Sequence, residues 1–420
     1  RMVIVANNNL LVYTNSATDP YTNGNGSTML TENINNCNAV IGSANYDIGH
    51  VFSTGGGGVA GLGVVCGTSK ARGVTGSSNP VGDPFDIDYV AHEMGHQFGG
   101  NHTFNSSTGS CSGNRASSAA YEPGSGITIM AYAGICGTDD LAPNSIAYFH
   151  TKSFDEIVIF STTGGGNSCP VTTATGNTPP VVTSMGANYT IPISTPFVLT
   201  GAATDANGHP ITYSWEQFDL GTAGAWNANL GSAPIFRPFP PVSSSSRTFP
   251  KLSDIINNTT TVGEILPNVA RTMHFQLTVR DNIAGGGGVM HPDSTVTITV
   301  ANTGGAFAVT APNTAVSWAG GSTQTVTWNV SGTSGAPINT ANVKISLSTD
   351  AGNTFPTVIL ASTANDGTES ITVPNVATTQ ARIKVEAVGN IYFDMSNANF
   401  TITSSAFSSI TTSSIAVTNY

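Results

Sequence analysis

The sequence predicts an α+β domain over residues 1–170, followed by two all-β Ig-like sandwiches. Three observations predict this. All five cysteines (Cys37, Cys66, Cys111, Cys136 and Cys169) and the helical spacings fall in the first 170 residues. Beyond the Thr/Pro-rich stretch "TTATGNTPPVVTS", short apolar–polar alternations take over, broken by Gly, Asn and Pro turns. With 39% hydrophobic and 9% charged residues, the chain is too apolar and too uncharged for a disordered one. A net charge of -11 argues against a nucleic-acid partner, since phosphate binding needs clustered Lys and Arg. No run of about 18 apolar residues is present, so no membrane span is expected. The chain opens at Arg1 with no signal peptide and reads as a processed product. The cysteines form no C-x-x-C pair, which suits disulfides in an oxidising, extracellular or cell-surface setting, with one thiol left over.

In order, "RMVIVANNNLLVYTN" reads as strand material. "STMLTENINNCNAVIG" has helical spacing, with Leu30, Ile34, Cys37 and Val40 or Ile41 on one face and Ser27 or Thr28 as cap. "GVAGLGVVC" reads as a glycine-laced strand ending at Cys66, "FDIDYVAHEMGHQFG" as the second helix and "SFDEIVIFS" as a short third. Residues 171–179 read as a linker. In the first sandwich, 180–302, "ITYSWEQF" is expected to bury Ile211, Tyr213 and Trp215. There "FQLTV" buries Phe275, Leu277 and Val279, and "STVTITV" buries Val296, Ile298 and Val300. The second sandwich, 303–404, carries "TQTVTWNV", "VKISLS", "ARIKVEA" and "NFTIT", and 405–420 is a Ser/Thr-rich tail.

The densest chemistry lies in "AHEMGHQFGGNHTF". On a helix His92 and His96 stand four residues apart and project from one face, a separation that one small cation can bridge. Glu93 can reach a metal-bound water without binding the metal. Gly99 lets the chain leave the helix with positive φ and return His102 as a third nitrogen ligand. Three neutral imidazoles suit one Zn²⁺ and leave its fourth position open, as in a catalytic site. Two histidines at that spacing are equally what a helix surface carries. The full H-E-x-x-H-x-x-G-x-x-H string is what favours a metal.

That string resembles the metzincin zinc signature, and Met130 in "GITIMAYAGIC" resembles the Met-turn that follows it. Within the metzincins, "YDIGHVFSTGGGGVAGLGVVC" is similar to the reprolysin (adamalysin) segment, as in bacterial secreted enzymes, where a Gly-rich edge strand borders the cleft. The resemblance implies a metzincin-like catalytic domain with a mixed twisted sheet and an active-site helix. It implies disulfides Cys66–Cys169 and Cys111–Cys136 with Cys37 free, and substrate lying along Gly61, Leu62, Gly63, Val64 and Val65. Ala133 to Ile135 would wall the pocket beyond the cut bond. Two departures stand out. Tyr132 replaces the usual reprolysin proline, and reads either as an extra zinc ligand or oxyanion donor or as a packed wall residue. Only 91 residues precede His92, so the first strand and helix are expected to be missing.

The resemblance implies a secreted zinc endopeptidase acting on extracellular protein or peptide, with Glu93 as general base. The other reading is an adhesin with an inactive protease-like domain, against which the presence of Glu93 speaks. The sandwiches are expected to hold substrate, a glycan or a cell surface. Asp205, Asn207 and Asp281 sit in turns, as the ligands of Ca²⁺-binding Ig-like and cadherin-like modules do, and as ordinary turn formers do.

Overall fold

The computed structural model describes residues 2–405, so the tail beyond Ser405 lies outside the described residues. An α+β portion is followed by two all-β Ig-like sandwiches, and the chain packs as two compact units. Among the described residues one unit holds 2–193, 197–251 and 260–302, and the other 194–196, 252–259 and 303–405.

In the first unit, helix α1 (Gly26–Val40) is capped by Asn25, whose side chain accepts from the Thr28 amide at 3.1 Å. The cap is therefore Asn25, not Ser27 or Thr28, and asparagine is among the strongest N-caps. The helix buries Met29, Leu30, Asn33 and Cys37 against a three-stranded mixed sheet. Its strands are β1 (Val51–Ser53), β2 (Gly57–Ala60) and β3 (Gly73–Gly76), with β3 central, parallel to β1 and antiparallel to β2. A three-residue helical turn α2 (Asp83–Phe85) and a π turn (Asp86–Ala91) lead into α3 (His92–Gln97), and α4 (Thr151–Thr162) closes this portion.

One expected strand is absent and another is shorter than expected. The opening stretch forms a 3-10 turn at Asn8–Leu11, because Asn7 takes φ 65° and breaks the extended run. Val5 and Leu11 pack near Cys37, while Met2, Val3 and Ile4 stay exposed. The glycine-laced strand is β2, ending at Ala60. Gly61–Val65 instead form a turn with Gly63 at φ +61°, and the amides of Gly63 and Val64 bond His96 and Gln97 carbonyls, both at 2.9 Å.

The first sandwich comprises β4 (Val181–Ser184), β5 (Tyr189–Pro192), β6 (Phe197–Thr200), β7 (Ala202–Thr204), β8 (Thr212–Gln217), β9 (Ser246–Phe249), β10 (Arg271–Arg280), β11 (Val289–Met290) and β12 (Val296–Ala301). One sheet runs β11-β10-β12-β5 with β8 also on β10, while β4 pairs β7 and β6 pairs β9. Phe197, Phe236, Phe249 and Phe275 interlock between them, and Val296, Ile298 and Val300 are buried as the alternation predicts. Strand β8 departs from simple alternation: Trp215 faces the core, yet Ser214 and Glu216 are buried too. The start of α4 covers that second face. Glu216 Oε2 accepts the Thr151 amide at 2.8 Å and lies 3.4 Å from His150 Nε2, and the hydroxyls of Thr151 and Thr278 meet at 2.5 Å. His291 meets Asp155 at 2.6 Å, and Arg237 donates to the Leu141 carbonyl at 2.8 Å. The helical portion and this sandwich thus share one polar, buried seam.

The second unit pairs a sheet of Ala308–Ala311, Thr323–Asn329 and Thr368–Thr372 with one built on Thr378–Ala387, Asn342–Ser348, Thr357–Ala364, Phe400–Thr403 and Ser317–Ala319. Val326, Trp328, Ile345, Val385 and Phe400 fill its core.

Burial alone would push the Glu216 carboxyl up, but His150, Arg280 and the Thr151 donors hold it below its ordinary value. A carboxyl depressed in the folded state stabilises above its unfolded value of about 4.3, and that stability is lost as pH falls through the folded value. The stability gap between wild type and Glu216→Gln, read from urea midpoints, should therefore narrow as pH drops from about 6 to about 3. A gap independent of pH would contradict the pairing.

Candidate metal centre

The helical run from Asp83 to Gln97 brings His92 and His96 onto one face, edge to face with ring centroids 4.7 Å apart. The π turn widens the helix just before the first histidine, a feature common at functional sites. Gly99 takes φ +93°, and the Gly100 amide closes on the Gly95 carbonyl at 2.9 Å. The chain reverses there, and His102 returns to the pair.

Each Nδ1 donates to a backbone carbonyl: His92 to Ile129 at 2.7 Å, His96 to Gly100 at 2.7 Å and His102 to Asn114 at 2.6 Å. Those bonds place the proton on Nδ1 and leave Nε2 as a bare lone pair. Yet His96 Nε2 lies 3.1 Å from His92 Nε2 and 3.0 Å from His102 Nε2. Three lone pairs cannot bond one another. Tetrahedral zinc at about 2.0–2.1 Å from each nitrogen would set them roughly 3.3 Å apart, so the cluster fits such an ion closely. Burial, followed by mutual repulsion, holds His92 well below the ordinary histidine value and His102 down at about 4, keeping both neutral as ligands must be.

Glu93 is buried beside them, and its Oε2 has no hydrogen-bond partner. Burial pushes its carboxyl up to about 8, and a divalent cation nearby would pull it down again. A Cβ on Gly58 would stand 2.3 Å from Glu93 Oε1, so the edge strand β2 crosses directly over the carboxylate. Met130 is fully buried beneath α3, its Sδ 2.3 Å from where a Gly95 Cβ would stand. Tyr132 packs edge-on to His102 at 4.5 Å between ring centroids, and burial raises its hydroxyl to about 12.

Several supports were not legible as motifs. Buried Glu122 accepts Thr103 and Thr128 hydroxyls at 2.5 Å each, and the amides of Ile127 and Thr128 at 2.7 and 3.1 Å. One carboxylate thereby joins the residue after His102 to the turn before Met130. Gln97 links α3 to His50 at 2.8 Å, and His50 links to Thr75 of β3 at 2.8 Å. Cys66–Cys169 and Cys111–Cys136 are disulfides and Cys37 is a buried free thiol. In the first sandwich Asp205 and Asp281 meet, but beside His209 rather than Asn207. The Asn207 side chain instead accepts the Thr178 amide at 2.8 Å.

Helix, lone-pair triad and buried glutamate together make a site whose donors suit one metal ion with a carboxylate beside it. Residues 1–157 match the family described as Metallo-peptidase family M12B, Reprolysin-like, which supports a zinc metalloprotease for this part of the chain. No curated protein matches the chain. Among solved structures it is similar to a chimeric titin Z1Z2 tandem at 15% identity, covering 54% of this chain and 100% of that one, with a TM-score of 0.20. It is also similar to the N-terminal Ig1-2 module of the Drosophila receptor protein tyrosine phosphatase DLAR, at 12% identity over 55% of this chain and 100% of that one, TM-score 0.27.

Gly95→Ala would drive a methyl into Met130 Sδ and within 3.3 Å of the Phe149 ring. Such overpacking typically costs about 1–3 kcal/mol. The variant should melt several degrees lower and bind zinc more weakly, and a wild-type melting curve would contradict the contact.

Proposed function

We propose that the chain is a secreted zinc endopeptidase that cuts extracellular proteins or peptides. The observation that carries this reading is the convergence of three Nε2 lone pairs beside a buried carboxylate oxygen with no partner. His92, His96 and His102 would hold the ion, and zinc bound there would acidify a water and polarise the scissile carbonyl. Glu93 takes a proton from the attacking water and returns it to the leaving amine. Strand β2 lies at the sheet edge, paired with β3 on one side, so substrate is expected along Gly57–Ala60 by strand addition. Gly58 leaves space there for substrate and Glu93 together. Tyr132, protonated at neutral pH, is suited to donate to the developing oxyanion. The two disulfides accord with an oxidising extracellular setting.

Glu93→Gln should keep its zinc and lose hydrolysis by about 10²–10⁴, the usual worth of a general base. His102→Ala should lose metal along with activity. Elemental analysis beside peptide turnover checks both. A folded, zinc-loaded Glu93→Gln chain that cuts at the wild-type rate would overturn the role of Glu93.

A further inference from the structure

Far in sequence from the histidine triad, the first sandwich gathers Asp205 after β7, His209 four residues on, Asp281 at the end of β10, and Asn177 ahead of β4. One ligand atom each from Asp205, His209 and Asp281 lie within 4.8 Å of one another. The side chain of Asp205 is 2% exposed, as is Asp281. Asp205 Oδ1 accepts the amides of Asn207 and His209, both at 2.9 Å, but its Oδ2 is buried with no hydrogen-bond partner. His209 Nδ1 is buried without a hydrogen bond as well, since its nearest carboxylate oxygen is 3.6 Å away. Asn177 donates to Asp281 Oδ2 at 2.6 Å and to the Gly286 carbonyl at 2.9 Å, and this leaves its own Oδ1 buried and unpartnered. Asp281 Oδ1 is held by the Gly288 and Ile283 amides at 2.8 and 3.2 Å, so the carboxylate is fixed in place.

Leaving buried polar atoms unpaired costs about 1–3 kcal/mol each, and more for a charged group. Three such atoms in one cluster, two of them on or beside carboxylates, indicate a missing partner that is cationic. We propose that Asp205, His209 and Asp281, with Asn177 Oδ1, form a second divalent-cation site for a zinc-type transition ion. Calcium takes six to eight oxygens, whereas this set mixes carboxylate and amide oxygens with one imidazole nitrogen, the donor chemistry of zinc or manganese. A tetrahedral ion about 2.0–2.2 Å from each donor sets them about 3.3–3.6 Å apart, so donors that lie within 4.8 Å of one another would draw together by up to about 1.5 Å on binding. The site ties the segment ahead of β4 to the β7–β8 and β10–β11 turns, and would act as a clasp on the sandwich rather than in hydrolysis.

The test is zinc binding by the full chain after chelator stripping, read by calorimetry and elemental analysis, in wild type, His209→Ala and His96→Ala. His209→Ala removes only the imidazole, because the backbone amide that holds Asp205 remains. Wild type should take up an equivalent of zinc beyond the triad's, His209→Ala should lose that equivalent while keeping its peptidase activity, and His96→Ala should retain it. Zinc should also raise the melting temperature of His96→Ala but not of the His96→Ala/His209→Ala double variant. Identical zinc stoichiometry in wild type and His209→Ala would overturn the site, leaving His209 as a simple ion-pair partner of Asp205. Binding of calcium in preference to zinc and manganese would overturn the ligand class. If instead only the catalytic reading fails, wild type and His96→Ala bind the same amount and His209→Ala alone binds less.

Discussion

Three imidazoles facing one another through unprotonated nitrogens is the constraint on which the first unit is organised. Each ring is held in that unfavourable arrangement by a carbonyl from a different place: Ile129 before Met130, Gly100 in the turn after α3, and Asn114 in the disulfide-bonded loop. Ring orientation thus depends on three backbone segments being in register. Glu122 supplies much of that register, gathering four donors from both sides of the cleft floor. The Cys111–Cys136 bridge joins the loop that carries Asn114 to the segment beyond Tyr132. The triad is preorganised by elements that never touch it, the arrangement a metal site needs if its ligands are to keep their tautomers.

The same dependence reaches into the first sandwich. Asn105 donates to the Thr222 carbonyl at 2.9 Å, and Arg115 bridges Asn105 and the Gly221 carbonyl. These bonds steady the loop between His102 and Asn114 from a strand connection of the sandwich. At the other side, α4 begins on the carboxylate of Glu216. Strand β8 therefore has two buried faces, one apolar toward its own core and one polar toward the helical portion. A sandwich built this way is a structural wall of the α+β portion, unlike a module joined by a free tether.

What could be read from the sequence follows from the range of the interactions. Helices α1 and α4, the ligand string and the strands of both sandwiches follow local spacing, and local spacing is visible. The string even carries its own turn, since Gly99 is needed wherever the chain must take φ +93°. Long-range interactions were not visible. "RMVIVANNN" has strand composition, but a strand also needs a neighbour, and Asn7 turns the chain instead. The edge strand was expected four residues too late because Gly and Val recur on both sides of Ala60, and only pairing with β3 tells them apart. Glu122 and His50 belong to no motif, and their roles arise from bonds spanning 19 and 47 residues. Turn composition points to Asn207 beside Asp205 and Asp281, but its side chain accepts the Thr178 amide and His209 stands with the two carboxylates instead.

With 9% charged residues, each carboxylate this chain buries is informative through what neutralises it. Glu264 meets Arg247 at 2.6 Å and the Lys251 amide at 2.9 Å. Glu216 has His150, Arg280 and the Thr151 amide, and Glu122 has four donors. Glu122 and Glu264 are satisfied within the chain, and Glu216 has charged and donor partners although its Oε1 receives no hydrogen bond. Glu93 receives no hydrogen bond at Oε2, and the imidazoles of the neighbouring triad are held neutral by burial. Since an isolated buried charge is too costly to keep without compensation, the positive charge must come from outside the chain or the carboxyl must hold a proton. Either state is useful to hydrolysis, the first for taking a proton from water and the second for giving it to the leaving amine. Beside three bare nitrogens, the unsatisfied oxygen of Glu93 is the observation on which the proposed role of this carboxylate rests.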